Sequence, residues 1–121
     1  MTIDTPHGTP VLVCSAEGAP VRDGAGALDL IGEALGAGAE LVVLPVERLT
    51  DEFFTLSTGV AGEIAQKFVN YRLRLAVIGD ISRHLAASGA LRDFVRECNR
   101  GRQLWFLADQ IELDERLRKT V

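Results

Sequence analysis

The chain has 121 residues, 47% hydrophobic and 25% charged, with a net charge of −4. That is enough for one globular domain with its own core, and too acidic for a general nucleic-acid binder. The first residues lack a basic segment followed by an apolar one, and the longest apolar runs fall far short of a bilayer span, so the expectation is a cytoplasmic protein with no signal peptide and no membrane contact.

The amino-terminal end predicts a hairpin: a strand near Met1–Asp4, a turn at His7-Gly8 and a second strand over Pro10–Ser15. Pro6 and Pro10 confine this pair to an edge or a strand start, because proline cannot donate to a ladder. Glu17-Gly18-Ala19-Pro20 breaks the chain, and Asp23 is placed to cap the first helix. Ala27, Leu28, Ile31, Ala34 and Leu35 recur there at helical spacing, and Gly36-Ala37-Gly38 stops it. Leu41–Val46 is a continuous apolar run, as expected of a strand buried on both faces, with Pro45 at its end. Thr50–Phe54 reads as one capped helical turn that tucks Phe53 and Phe54 inward.

After Gly59, the positions Val60, Ala61, Ile64, Ala65, Phe68 and Val69 make the apolar stripe of a second long helix. Leu73, Leu75, Val77 and Ile78 form the next strand, ending at Gly79-Asp80. Asp80 or Ser82 can cap the helix that follows. It pauses at Ser88-Gly89, resumes through Leu91, Phe94, Val95 and Cys98, and closes at Gly101. Leu104–Leu107 is a last strand, in which one of Trp105 and Phe106 is expected to face solvent or a neighbouring subunit. Asp109 opens a short charged final helix with Ile111, Leu113 and Leu117. Strands alternating with helices predict an α/β domain over residues 1–121, with a mainly parallel sheet of four to five strands, an amino-terminal hairpin and about four helices.

Charge is unevenly spread. Residues 1–63 carry ten acids against Arg22 and Arg48, a balance of −8, whereas residues 64–121 carry eleven Lys and Arg against seven acids, a balance of +4. Such polarity suits an acidic partner on one face, head-to-tail self-association, or no partner at all. Cys14 and Cys98 lack metal-ligand spacing and read as reduced core thiols. His7 and His84 have no metal or nucleophile partner nearby in sequence.

Leu56-Ser57-Thr58-Gly59 puts two hydroxyls and a glycine where a helix start leaves N–H groups open. Both readings stand at this stage: an ordinary cap, or an anion-accepting or phosphorylated site. Gly59 and Gly62 fit either close helix packing or a partner groove. At the carboxyl end of a strand, Asp80 and Ser82 are a cap or a ligand edge, and parallel sheets bind ligands outside such ends. Arg96, Arg100 and Arg102 complement a helix dipole or contact an anion.

Two resemblances follow. Asp51–Ile64, Gln66–Tyr71, Leu75–Asp80 and Leu91–Glu97 leading to Asn99-Arg100-Gly101 resemble a bacterial family catalogued as domain of unknown function 4180, over roughly residues 10–108. More distantly, the order of elements resembles STAS domains, the fold of anti-sigma factor antagonists. There, an Asp-Ser-Ser-Gly segment opens the second helix and a partner kinase phosphorylates one serine. Thr58 resembles the phosphoacceptor, and Leu56 departs from the aspartate. The resemblance implies a regulatory module that binds another protein, with docking around Thr50–Gly62 tuned at Ser57 or Thr58 and no cofactor of its own. The alternatives are a small-anion or nucleotide-binding domain using Asp80 with Arg100 and Arg102, and an enzyme with no local motif. A homodimer through a sheet edge is a further expectation.

Overall fold

The computed structural model describes residues 2–120. Its centre is a five-stranded sheet in the order β1 (Thr2–Asp4), β2 (Val11–Val13), β3 (Leu41–Pro45), β4 (Arg74–Ile78), β5 (Leu104–Leu107). β1 and β2 are antiparallel and every other pair is parallel. The helices are α1 (Gly24–Gly36), α2 (Asp51–Phe54), α3 (Val60–Asn70), α4 (Ser82–Ala87), α5 (Gly89–Arg100) and α6 (Gln110–Thr120). The expected four helices become six because the 51–54 turn is a short helix and Ser88 divides α4 from α5. Ser88 Oγ accepts from Leu91 N at 3.1 Å, so the pause is an N-cap.

Strand order equal to chain order decides the layering. From β2 to β5 each crossover steps the same way, and crossovers of one hand then put their helices on one face. Ile31 of α1, Ile64 and Phe68 of α3, and Leu91 and Val95 of α5 pack there against Leu12, Val42, Leu75 and Phe106. The other face is closed by α6, whose Leu113 and Leu117 cover Val11, Leu41, Val43, Ala76 and Trp105. β5 is therefore buried on both sides: Trp105 is 1% exposed and Phe106 6%, so neither faces solvent as expected.

Not every apolar residue of the predicted stripes is buried. Leu30 is buried in α1, while Leu28 and Leu35 are exposed, as are Val69 of α3 and Ile111 of α6. The Asp23 cap is present, accepting from Gly26 N at 3.0 Å. The hairpin turn is a 3-10 turn over Pro6–Gly8 with His7 at φ 53°, and it touches α6. Met1, placed in the first strand by sequence, lies outside the described residues.

Candidate functional site

The segment from Thr50 to Gly62 leaves the carboxyl end of β3 and is anchored by aromatic rings. Phe53 and Phe54 are buried, in edge contact with each other at 5.0 Å. Phe53 reaches Phe106 at 6.2 Å, and Phe54 stacks on His84 at 4.1 Å. His84 is thus a packed partner rather than a free surface residue. Between these anchors and α3, a 3-10 turn over Leu56–Thr58 carries Ser57, Thr58 and Gly59 on the surface. Gly59 adopts φ +79°, a left-handed conformation that glycine takes without strain, and this turns the chain into α3.

The two hydroxyls differ in their commitments. Thr58 Oγ1 lies 2.7 Å from Glu52 O and 2.8 Å from Thr55 O, either of which can receive its proton, and it accepts from Val60 N at 3.2 Å. Thr58 is the tie between α2 and α3. The Ser57 side chain makes no hydrogen bond among the described residues; it lines a cleft of about 350 Å³ together with His84 and Ser88. Arg83 borders the surface, paired with Asp51 at 3.3 Å in full solvent exposure, where an ion pair adds little. The Glu52 carboxyl is held below its usual range by its own backbone N–H and the Thr50 hydroxyl.

A second cleft, about 390 Å³, opens beyond β4 and β5. Asp80 stands at its rim, and its Oδ1 accepts from Ser82 N at 2.9 Å. The Ser82 hydroxyl and N–H hold the Asp80 carboxyl below its usual range. The expected cap is absent: Ile81 is the N-cap of α4 and no side chain caps it, so the Asp80–Ser82 bond is a local turn just ahead of the helix. Asn99 and Glu112 line the far wall, and no Arg or Lys does. The structure separates Arg100 and Arg102 from Asp80. Arg100 pairs with Glu97 at 2.9 Å on α5, and Arg102 precedes β5. In a parallel pair, residues before one strand and after its neighbour lie at opposite edges; the register sets Arg102 level with Leu73, so Asp80 is about 23 Å further along at roughly 3.3 Å per residue. The charged side chains lining this cleft, Asp80 and Glu112, are both acidic.

Several organising residues carried no local signal in the sequence. Arg48 donates from Nε to Ala19 O at 2.7 Å and from Nη1 to Ser15 O at 2.9 Å, fastening the loop between β2 and α1 beside a cleft of about 440 Å³. Asn99 bonds both backbone groups of Phe106, accepting from N at 2.8 Å and donating to O at 3.1 Å, which occupies the free edge of β5. These bonds join residues 7 to 33 apart in sequence, beyond any periodic pattern. Burial raises both cysteine thiols above the usual value, at Cys14 most of all by desolvation. Among the described residues, no three His, Cys, Asp or Glu side chains converge as metal ligands, and no helix is long and apolar enough to cross a membrane.

Comparison with known families gives one finding. The family model described as "Domain of unknown function (DUF4180)" matches residues 6–117, and the chain belongs to that family. No curated protein and no solved structure matches it.

Proposed function

We propose that the chain is a regulatory module that binds another protein through the Thr50–Gly62 surface, and that phosphorylation of Ser57 releases the partner. The observation that carries this reading is the contrast between adjacent hydroxyls: Ser57 is exposed and uncommitted, while Thr58 is spent on holding α2 to α3. A phosphate on Ser57 breaks no native bond. It adds about −1.5 to −2 charges beside Asp51 and Glu52, at a surface where Leu56 and Val60 are partly exposed. Added charge at such a contact costs a docked apolar surface its desolvation, so the unmodified form docks and the modified form lets go.

The STAS-like reading is supported by the hairpin followed by parallel strands in chain order, and by a hydroxyl-rich turn opening the helix after β3. That likeness points to Thr58; the hydrogen bonding moves the assignment to Ser57. The role belongs in the cytoplasm, where the kinase supplies ATP and this chain needs no cofactor.

Affinity capture from the protein's own cells with wild type, Ser57→Ala and Ser57→Glu tests the reading. A single stoichiometric partner retained by wild type and Ser57→Ala and lost from Ser57→Glu is expected. A chain recovered alone in all three forms, or a partner indifferent to Ser57→Glu, contradicts it.

A further inference from the structure

The amino edge of β4 and β5 gathers cations that the Ser57 surface, at the opposite edge, does not use. Arg74 begins β4, Arg102 stands two residues before β5, and Arg116 projects from the middle of α6. The guanidinium carbons of Arg74 and Arg116 each lie 4.6 Å from the centre of the Trp105 ring, within cation–π range. The cluster also closes the end of α5. Trp105 Nε1 donates to Gly101 O at 2.8 Å, Arg74 Nε to Arg102 O at 2.6 Å, and Arg116 Nη2 to Asn99 O. Asn99 O is one of the carbonyls that a helix end leaves without partners, and Gly101 O and Arg102 O belong to the turn that leads from α5 into β5.

One donor is left over. Nη2 of Arg74 is shut off from water and has no hydrogen-bond acceptor. Native structures rarely keep a charged donor in that state, since it has lost water and gained nothing. No ion pair among the described residues includes Arg74. Burial, and then the like charge of Arg102, pull its guanidinium below the usual value; Glu40 opposes them and Arg116 adds to them. Arg102 itself is exposed, and its side chain makes no hydrogen bond among the described residues.

We propose that this edge holds a small oxyanion, a phosphate or carboxylate group, between Nη2 of Arg74 and the guanidinium of Arg102. An anion supplies the missing acceptor and also relieves three neighbouring positive charges. The planar fork of arginine matches phosphate and carboxylate oxygens, and stacking on Trp105 fixes the Arg74 fork beforehand. The ion must be small, because Nη2 of Arg74 is itself buried, while Arg102 beside it is exposed. This assignment is independent of the Ser57 reading.

Titrating the isotopically labelled full chain with inorganic phosphate, and separately with acetate, tests it by NMR. Each titration runs against sodium chloride at matched ionic strength, reading the indole N–H of Trp105 and the Nε–H of Arg74. Saturable shifts beyond those from chloride are expected. Saturation by phosphate alone identifies a phosphoryl group, by acetate alone a carboxylate, and by both an oxyanion site of either kind. Arg102→Ala, an exposed change that leaves the Trp105 stack in place, weakens the response about tenfold, as loss of one charge-assisted contact does. Shifts indistinguishable from chloride, or a saturable response unchanged in Arg102→Ala, overturn the proposal.

Discussion

Replacing Thr58 and Ser57 one at a time by alanine separates a structural hydroxyl from a free one. Thr58→Ala removes one donated bond, shared between Glu52 O and Thr55 O, and one accepted from Val60 N. A net intramolecular hydrogen bond contributes about 0.5–1.5 kcal/mol, and the site is exposed, so water recovers part of the loss. The expected cost is about 1–1.5 kcal/mol, in the range of lost helix caps. Ser57→Ala removes no bond and should stay within about 0.5 kcal/mol of wild type. Urea unfolding reads the difference. With a slope near ~1.5 kcal/mol/M for a chain of this size, the Thr58→Ala midpoint falls by about 0.7–1 M while that of Ser57→Ala stays put. Thr58→Ser keeps the hydroxyl and should restore most of the loss. Equal losses at the two positions, or no rescue by serine, would refute the division of labour on which the Ser57 assignment stands.

Asn99→Ala strips both bonds from Phe106 and leaves edge-strand groups without partners in a part-buried place; a loss of about 2–3 kcal/mol by chemical denaturation is expected. Gly79 and Gly59 both have positive φ, but a Cβ at Gly59 meets open space whereas one at Gly79 falls 2.8 Å from Val46 Cγ1. Gly59→Ala should therefore cost about 1 kcal/mol from backbone strain alone, and Gly79→Ala clearly more, measured as a ratio of melting shifts. Because burial raises the Cys14 thiol, the folded chain holds that proton to higher pH than the unfolded chain does. Stability from this group is complete below the unfolded thiol's pKa and is lost as pH rises through the raised folded value, so unfolding midpoints should decline in mildly alkaline buffer. Cys14→Ala should flatten that decline.

Much of the architecture was readable because it rests on short periods. The run at β3, the Pro45 stop, the Asp23 cap and the break at Ser88 each depend on neighbours within a few residues. The closed face of β5 was also written in Leu104–Leu107, four apolar residues in succession, which alternation alone does not explain. What covers it was not readable, since α6 is mostly charged and buries only Leu113 and Leu117 against that face. The pairing of Arg102 with Asp80 failed on direction: parallel strands send the residue before β5 and the residue after β4 to different edges. The competition between Ser57 and Thr58 was invisible for another reason. Both are hydroxyls at one turn, and the choice is made by the carbonyls of Glu52 and Thr55, which α2 places under one of them.

Intact-mass analysis of the chain isolated from its own cells, followed by peptide mapping of any modified fraction, tests the central claim most directly. One phosphoryl group mapped to Ser57, with Thr58 unmodified, is the predicted result. A chain unmodified under every growth condition in which it is expressed, or a phosphoryl group on Thr58 in a folded chain, would contradict it.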